Sequence, residues 1–329
     1  MTYSRSSALI ALAVVYGSLS ASAVQAASPS VYPDRPIRLI LPVPAGGTAD
    51  VTIRILAPQI AAALGHQLVI DNRGGAGGLI GAEMAAKAAP DGYTLMMSSS
   101  GALTILPHLQ KKIPYDPLKD YTPVTLISSG PFFLITQPNA PYRTMKDFIA
   151  MAKAEPGKIN YASAGNGSPN HLASELFRSM ANLNLVHVPY KGAPQAVTDV
   201  LAGHVAVTFS SLLPIVQHVK SGRARAIGSS GAKRSSQMPD VPTIAESGVP
   251  GYDYVSWFGL VAPAGTPPEI VRKLNTVFTQ AVQSAESRAQ FESQGADAIG
   301  STAEEFAKII RFEYDRNARV VKTSGMKID

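Results

Sequence analysis

The chain has 329 residues, 46% of them hydrophobic and 16% charged, with a formal charge of +6 and no cysteine. So apolar a composition excludes a disordered chain, and the missing cysteine excludes disulfides and a lipid-anchored N-terminal Cys. The basic excess is scattered over Lys111-Lys112, Arg223-Ala224-Arg225 and Lys233-Arg234, which reads as a solvated face and not as a nucleic-acid stripe.

The first predicted element is a secretory signal peptide: Arg5, an apolar core from Ala8 to about Tyr16, then small residues around Val24-Gln25-Ala26, with cleavage expected after Ala26. The core is far shorter than the roughly 20 residues of a membrane span. Export without disulfides suits a bacterial periplasm. Next, IRLIL (Ile37 to Leu41) reads as a strand, followed by a helix from Asp50 to Leu64 that Pro58 should kink or bring to its last turns. QLVID and a helix from Gly77 to Ala88 follow, then YTLMMS and a short segment near Leu103. This alternation is the signature of parallel βαβ units. PVTLISS and FFLITQ, split only by Gly130-Pro131, look like a crossing into a second lobe.

A second alternating block runs through Met145 to Ala154, INYAS, Pro169 to Met180, LVHVPY, Ala193 to Leu201, VAVTF and Leu213 to Val219. After RARAIGSS, a Pro/Gly-rich passage makes the return crossing and a last strand runs from Val255 to Ala262. Helical patterns over Pro268 to Ser284, Glu286 to Gln294 and Thr302 to Thr323 are expected to pack on the first lobe. The predicted architecture is α/β and two-lobed, with residues 27–131 and 252–329 in one lobe, 132–251 in the other, and two crossover strands.

Each lobe carries a glycine turn between a strand and a helix: PVPAGGTAD in the first and ASAGNGSPNH in the second. A helix N-terminus exposes unpaired backbone N–H groups at the positive end of its dipole, an anion-binding arrangement. If the two turns face each other, a small anion fits between them, since ligands of open α/β sheets bind beyond the carboxyl ends of the strands. Motifs for chemistry are missing. The first turn lacks GxxxxGK[ST], and NRGGAGGLIGAE fails GxGxxG because Ile80 stands where the third glycine belongs. There is no nucleophile elbow, and the six histidines make no HxxxH pair, so neither a metal nor a cofactor is expected. His171 reads either as a hydrogen-bond partner of the Gly loop or as a ligand contact. Asp50 either sits passively at a favourable helix start or orients a bridging water.

The runs YPDRPIRLILPVPAGGTAD, DNRGGAGGLIGAE, PDGYTL, PYDPLKDYTPV, NYASAGNGSPNHLASELF, VHVPYKGAPQAVTD, MPDVPTIAESGVPGY and WFGLVAPAGTP together resemble the solute-binding receptors of tripartite tricarboxylate transporters, the Bug family. The resemblance implies a type II periplasmic-binding-protein fold of the Venus-flytrap kind. It also implies a small carboxylate ligand held at the two Gly loops by backbone groups and water, permease partners in the membrane, and a monomer without catalytic activity. Carried over by position, the ligand site comprises Pro44, Ala45, Gly46, Gly47 and Asp50, with Ser98, Ser99 and Ser100 after YTLMM. From the second lobe come Ser163, Gly165, Gly167, Ser168, His171, Tyr190, Gly192, Ala193 and Ser210. Many relatives carry an Asp where this chain has Ser210. Without an acid there, the expected ligand is a di- or tricarboxylate or an aromatic acid with no free amino group, because a buried ammonium needs an anionic partner. The competing readings are an orphan receptor serving a signalling partner and a secreted enzyme acting on carboxylates.

Overall fold

The computed structural model describes residues 32–110 and 112–324; the predicted signal peptide and cleavage point lie outside them. In chain order, β1 (Ile37–Leu41), α1 (Thr48–Leu64), β2 (Leu68–Asn72), α2 (Leu79–Ala86), β3 (Thr94–Ser99), α3 (Leu106–Leu109) and β4 (Tyr121–Pro131) come first. Then follow β5 (Phe133–Thr136), α4 (Met145–Ala154), β6 (Asn160–Ser163), α5 (Pro169–Met180), β7 (Val186–Pro189), α6 (Ala193–Leu201), β8 (Val207–Ser210), α7 (Val216–Lys220) and β9 (Arg225–Ser229). The chain closes with β10 (Val255–Pro263), α8 (Pro268–Gln283), α9 (Ala285–Ser293), β11 (Asp297–Ala298) and α10 (Ala303–Ser324).

Two sheets form the two lobes of a periplasmic-binding-protein fold. The first has the order β11-β4-β10-β3-β1-β2 and the second β7-β6-β8-β5-β9. In the first, β1 runs parallel to β2 and β3, while β10 is antiparallel to β3 and β4. The first sheet is covered on both faces, which is why its central strands are continuous apolar runs. Side-chain alternation sends Leu39, Leu41, Leu95 and Met97 into one cluster with Ile53 of α1 and Phe278 of α8, and Ile40 and Met96 into another with Ala82 of α2 and Phe306 of α10.

The chain passes from the first sheet to the second at Phe132 and returns between β9 and β10. Ser230 ties the two passages together. Its N–H donates to the Phe132 carbonyl and its carbonyl accepts from the Tyr254 N–H, each at 2.8 Å. Its hydroxyl accepts from the Phe132 N–H and donates to the Tyr254 carbonyl. The rings of Phe132 and Tyr254 stack beside it at 5.9 Å.

The structure revises three expectations. The first helix begins at Thr48, with Gly47 as N-cap. The second begins at Leu79, two residues later than expected, because Gly77 and Gly78 have φ of +69° and +105° and left-handed residues cannot continue a right-handed helix. Helices α8 and α9 pack on the first sheet, but α10 does not stay there. Its Phe306 and Ile310 join the first-lobe core, whereas Val320 and Val321 pack against the second-lobe core near α5.

Candidate functional site

A cavity of about 370 Å³ lies between the lobes, within the usual size of small-molecule sites. Four helices begin on its wall: α1 after Gly47, α2 after Gly78, α5 after Ser168 and α6 after Gly192. None has a side-chain cap. Away from the cavity, α4 opens on a reciprocal Thr144–Asp147 capping box, α9 on Ser284, and α10 on reciprocal bonds between Thr302 and Glu305. A side-chain cap occupies the very N–H groups that an anion would use; α7 and α8, also away from the cavity, lack one too, so what sets these four apart is that they open uncapped on the cavity itself.

Buried groups brace the loops that lead into these helices. In the first lobe, Asp50 accepts from the Gly46 N–H at 3.0 Å and from Arg54 at 3.1 and 3.0 Å. Burial works against its charge, yet the hydrogen bonds from Arg54, Gly46 and Asn72 outweigh it and hold the carboxyl below its ordinary pKa. In the second lobe the braces are neutral. His171 Nδ1 accepts from the Gly167 N–H at 3.1 Å, Asn170 Oδ1 from the Ala164 N–H at 3.2 Å, and Ser163 Oγ from the Gly165 N–H at 3.1 Å. His171 lies flat on His187, centroids 4.0 Å apart. Burial first, then the nearby His187 and Arg178, lower its pKa to about 3. It is therefore neutral near pH 7, with a lone pair free to accept.

Glycines let the lobes meet. A Cβ on Gly77 would overlap the Asn166 carbonyl, one on Gly167 would overlap Leu106, and one on Gly192 would strike Pro44. Thr48 and Ser211 join hydroxyls across the cleft at 2.6 Å. These contacts describe a closed clamshell.

Of the residues singled out in the sequence, the structure places Pro44, Gly47, Ser99, Gly165, Ser168, Tyr190, Gly192, Ala193 and Ser210 on the cavity wall. It places the others off it. Ala45 and Gly46 are exposed on the outside of the first loop. Asp50, Ser163 and His171 are the buried braces just described: Asp50 is bonded to Arg54 and the Gly46 N–H, and His171 to the Gly167 N–H. Ser98 turns away from the wall by strand alternation and bonds to the Ser99 carbonyl, while Ser100, past the end of β3, bonds to the buried Tyr254 hydroxyl. Gly167 lies beneath Leu106. Sequence reasoning missed the third glycine loop, Gly75 to Gly78, together with Gln110, Ser256 and Phe258, all on the wall. The glycine loop did leave a signal: four residues in a row with positive φ, Gly75, Ala76, Gly77 and Gly78, are encoded by GAGG directly before a helix.

The model of the tripartite tricarboxylate transporter family receptor matches residues 52–326. The chain belongs to this receptor family. A relative from Bordetella pertussis, Protein BugT, is 39% identical over 302 residues, covering 92% of this receptor and 93% of BugT. Two solved structures from Rhodopseudomonas palustris superpose on the receptor. One, described as holding adipate, has a TM-score of 0.87 at 34% identity and spans 90% of this chain and 99% of its own. The other, MatC with bound malate, has a TM-score of 0.84 at 30% identity and spans 88% and 100%. The receptor is thus a solute-binding protein of a transporter family.

Proposed function

We propose that this receptor works in the periplasm as a monomer, closes around a small carboxylate lacking a free amino group, and passes it unchanged to the permease subunits of a tripartite transporter. One observation carries this reading: four uncapped helix N-termini open on a cavity whose wall contains no Asp or Glu. Such a wall favours a carboxylate and offers an ammonium no counter-charge. Asp50, the acid in the first turn of α1, is already taken by Arg54. The adipate and malate in the two related structures support a carboxylate here, and no described helix is long and apolar enough to cross a membrane.

Calorimetry with carboxylic acids, their amides and their amino-substituted analogues tests the proposal. Acids should bind while amides and amino acids bind at least tenfold more weakly, and the recovered acid should be unaltered. Equal binding of acid and amide, or conversion of the acid, would overturn it.

A further inference from the structure

We infer that Phe258 makes this receptor selective for a carboxylate carried on an apolar body, above all an aromatic acid, over short hydroxylated dicarboxylates. The inference rests on the carboxylate reading above and goes further, to the part of the ligand that is not the carboxylate. Strand alternation on β10 turns Ser256 and Phe258 to the cavity wall, while Trp257 between them is buried and donates its indole N–H to Glu313 at 2.7 Å. Phe258 sits opposite Ser99 of β3 in the register.

Phe132 and Phe209 also border the cavity, but their rings are committed elsewhere. Phe132 stacks on Tyr254 and Phe209 on Tyr252, and they are 8% and 1% exposed. Phe258 is only half-buried, its inner side resting on the first-lobe core, and no ring among the described residues pairs with it. Its free surface therefore faces the space a ligand fills. Pro42, Val43, Ala49 and Ala102 continue that wall in apolar character.

The wall has neutral polar side chains, Gln110, Asn166 and Ser256 among them, but little charge to pair with a second carboxylate. Lys191 is the one charged side chain on the wall, and it is exposed. The Ser211 hydroxyl is joined to Thr48, and that of Ser210 donates to the Ser211 carbonyl. A short hydroxy-dicarboxylate would have to desolvate its far carboxylate and hydroxyl against this surface, whereas an aromatic ring gains both burial and ring packing.

The test is calorimetry with benzoate, adipate and malate on the wild-type protein, Phe258→Ala and Phe258→Leu, with melting curves for each. The wild type should bind benzoate at least tenfold more tightly than malate, with adipate between. Phe258→Ala should lose about tenfold for benzoate and less than twofold for malate; Phe258→Leu, which keeps apolar bulk without a ring, should lose about threefold for benzoate. Should Phe258→Ala melt below the assay temperature, Phe258→Leu decides alone. A wild type that prefers malate, or variants that weaken benzoate and malate equally, would overturn the selectivity and leave the carboxylate receptor standing. If none of the three acids binds while an amide or amino acid does, both readings fall.

Discussion

The two braced loops solve one problem with opposite chemistry. In the first lobe a glycine N–H is held by the side chain four residues on, Gly46 by Asp50; in the second the same spacing joins Gly167 to His171. The first brace is an anion neutralised by Arg54, whose side chain is 53% exposed. The second is a neutral imidazole sealed under His187. A charged brace tolerates water nearby, because its counter-ion reaches the surface. A sealed brace has to be uncharged, since a buried unpaired charge costs several kcal/mol. The loops differ for the same reason in what surrounds the glycine: Gly46 has nothing within 4 Å of a Cβ, while Gly167 has Leu106 directly against it.

The largest effect should come from Gly167→Val. The new side chain would fall on Leu106 of the opposite lobe, so closure should fail and binding drop at least a hundredfold by calorimetry, with melting of the ligand-free protein affected much less. Wild-type affinity would show that the lobes need not meet there. Next is His171→Ala, which leaves the buried Gly167 N–H without an acceptor and should lower stability by about 1–3 kcal/mol in urea unfolding. Asp50→Ala should be milder, about tenfold in affinity, because the Gly46 N–H it releases is exposed and can turn to water. Equal losses of stability in urea for the two brace variants would erase the contrast between them. Gly46→Val should cost about fivefold at most, from the left-handed φ of +78° alone.

Acid should separate the braces by pH. The folded pKa of His171 is lowered from 6.5 to about 3, so the unfolded chain binds a proton that the folded one refuses. Stability from this site is complete above pH 6.5 and declines as pH falls toward 3. Asp50 is also lowered, and its contribution declines only below the ordinary carboxylate range. His171→Gln should flatten the slope between pH 6.5 and 4 in urea titrations, while Asp50→Asn should leave that window unchanged.

How far the residues alone could be read follows from what each signal encodes. The helix Pro169–Met180 was legible to the residue because Ser168-Pro169 punctuates its start. Apolar runs located the strands, while Gly130-Pro131 proved to be the end of β4, paired with β10. The short pair β11 carried no such signal, since two residues cannot show a period. Gly75 to Gly78 reads as a failed nucleotide fingerprint, and which loops share a cavity depends on sheet order, which local spacing does not encode. The amphipathic face of α10 announced burial without saying against which lobe. Strand alternation could have separated Ser99 from Ser98, given the orientation of the sheet; His171 already reads as a partner of the Gly loop, but its place beneath His187 is not encoded locally.

Ser230 has a consequence for motion. With both crossover segments fastened to one residue through four hydrogen bonds, neither can slide past the other, and the lobes are left with rotation about a single pivot. A pivot without slip returns to the same closed position on every cycle. The contacts at Gly77, Gly167 and Gly192 leave no clearance for error at the far end of that swing. The tolerance of the ligand site is therefore set at a serine outside the cavity wall, and loosening that serine should blur the site without altering any residue that lines it.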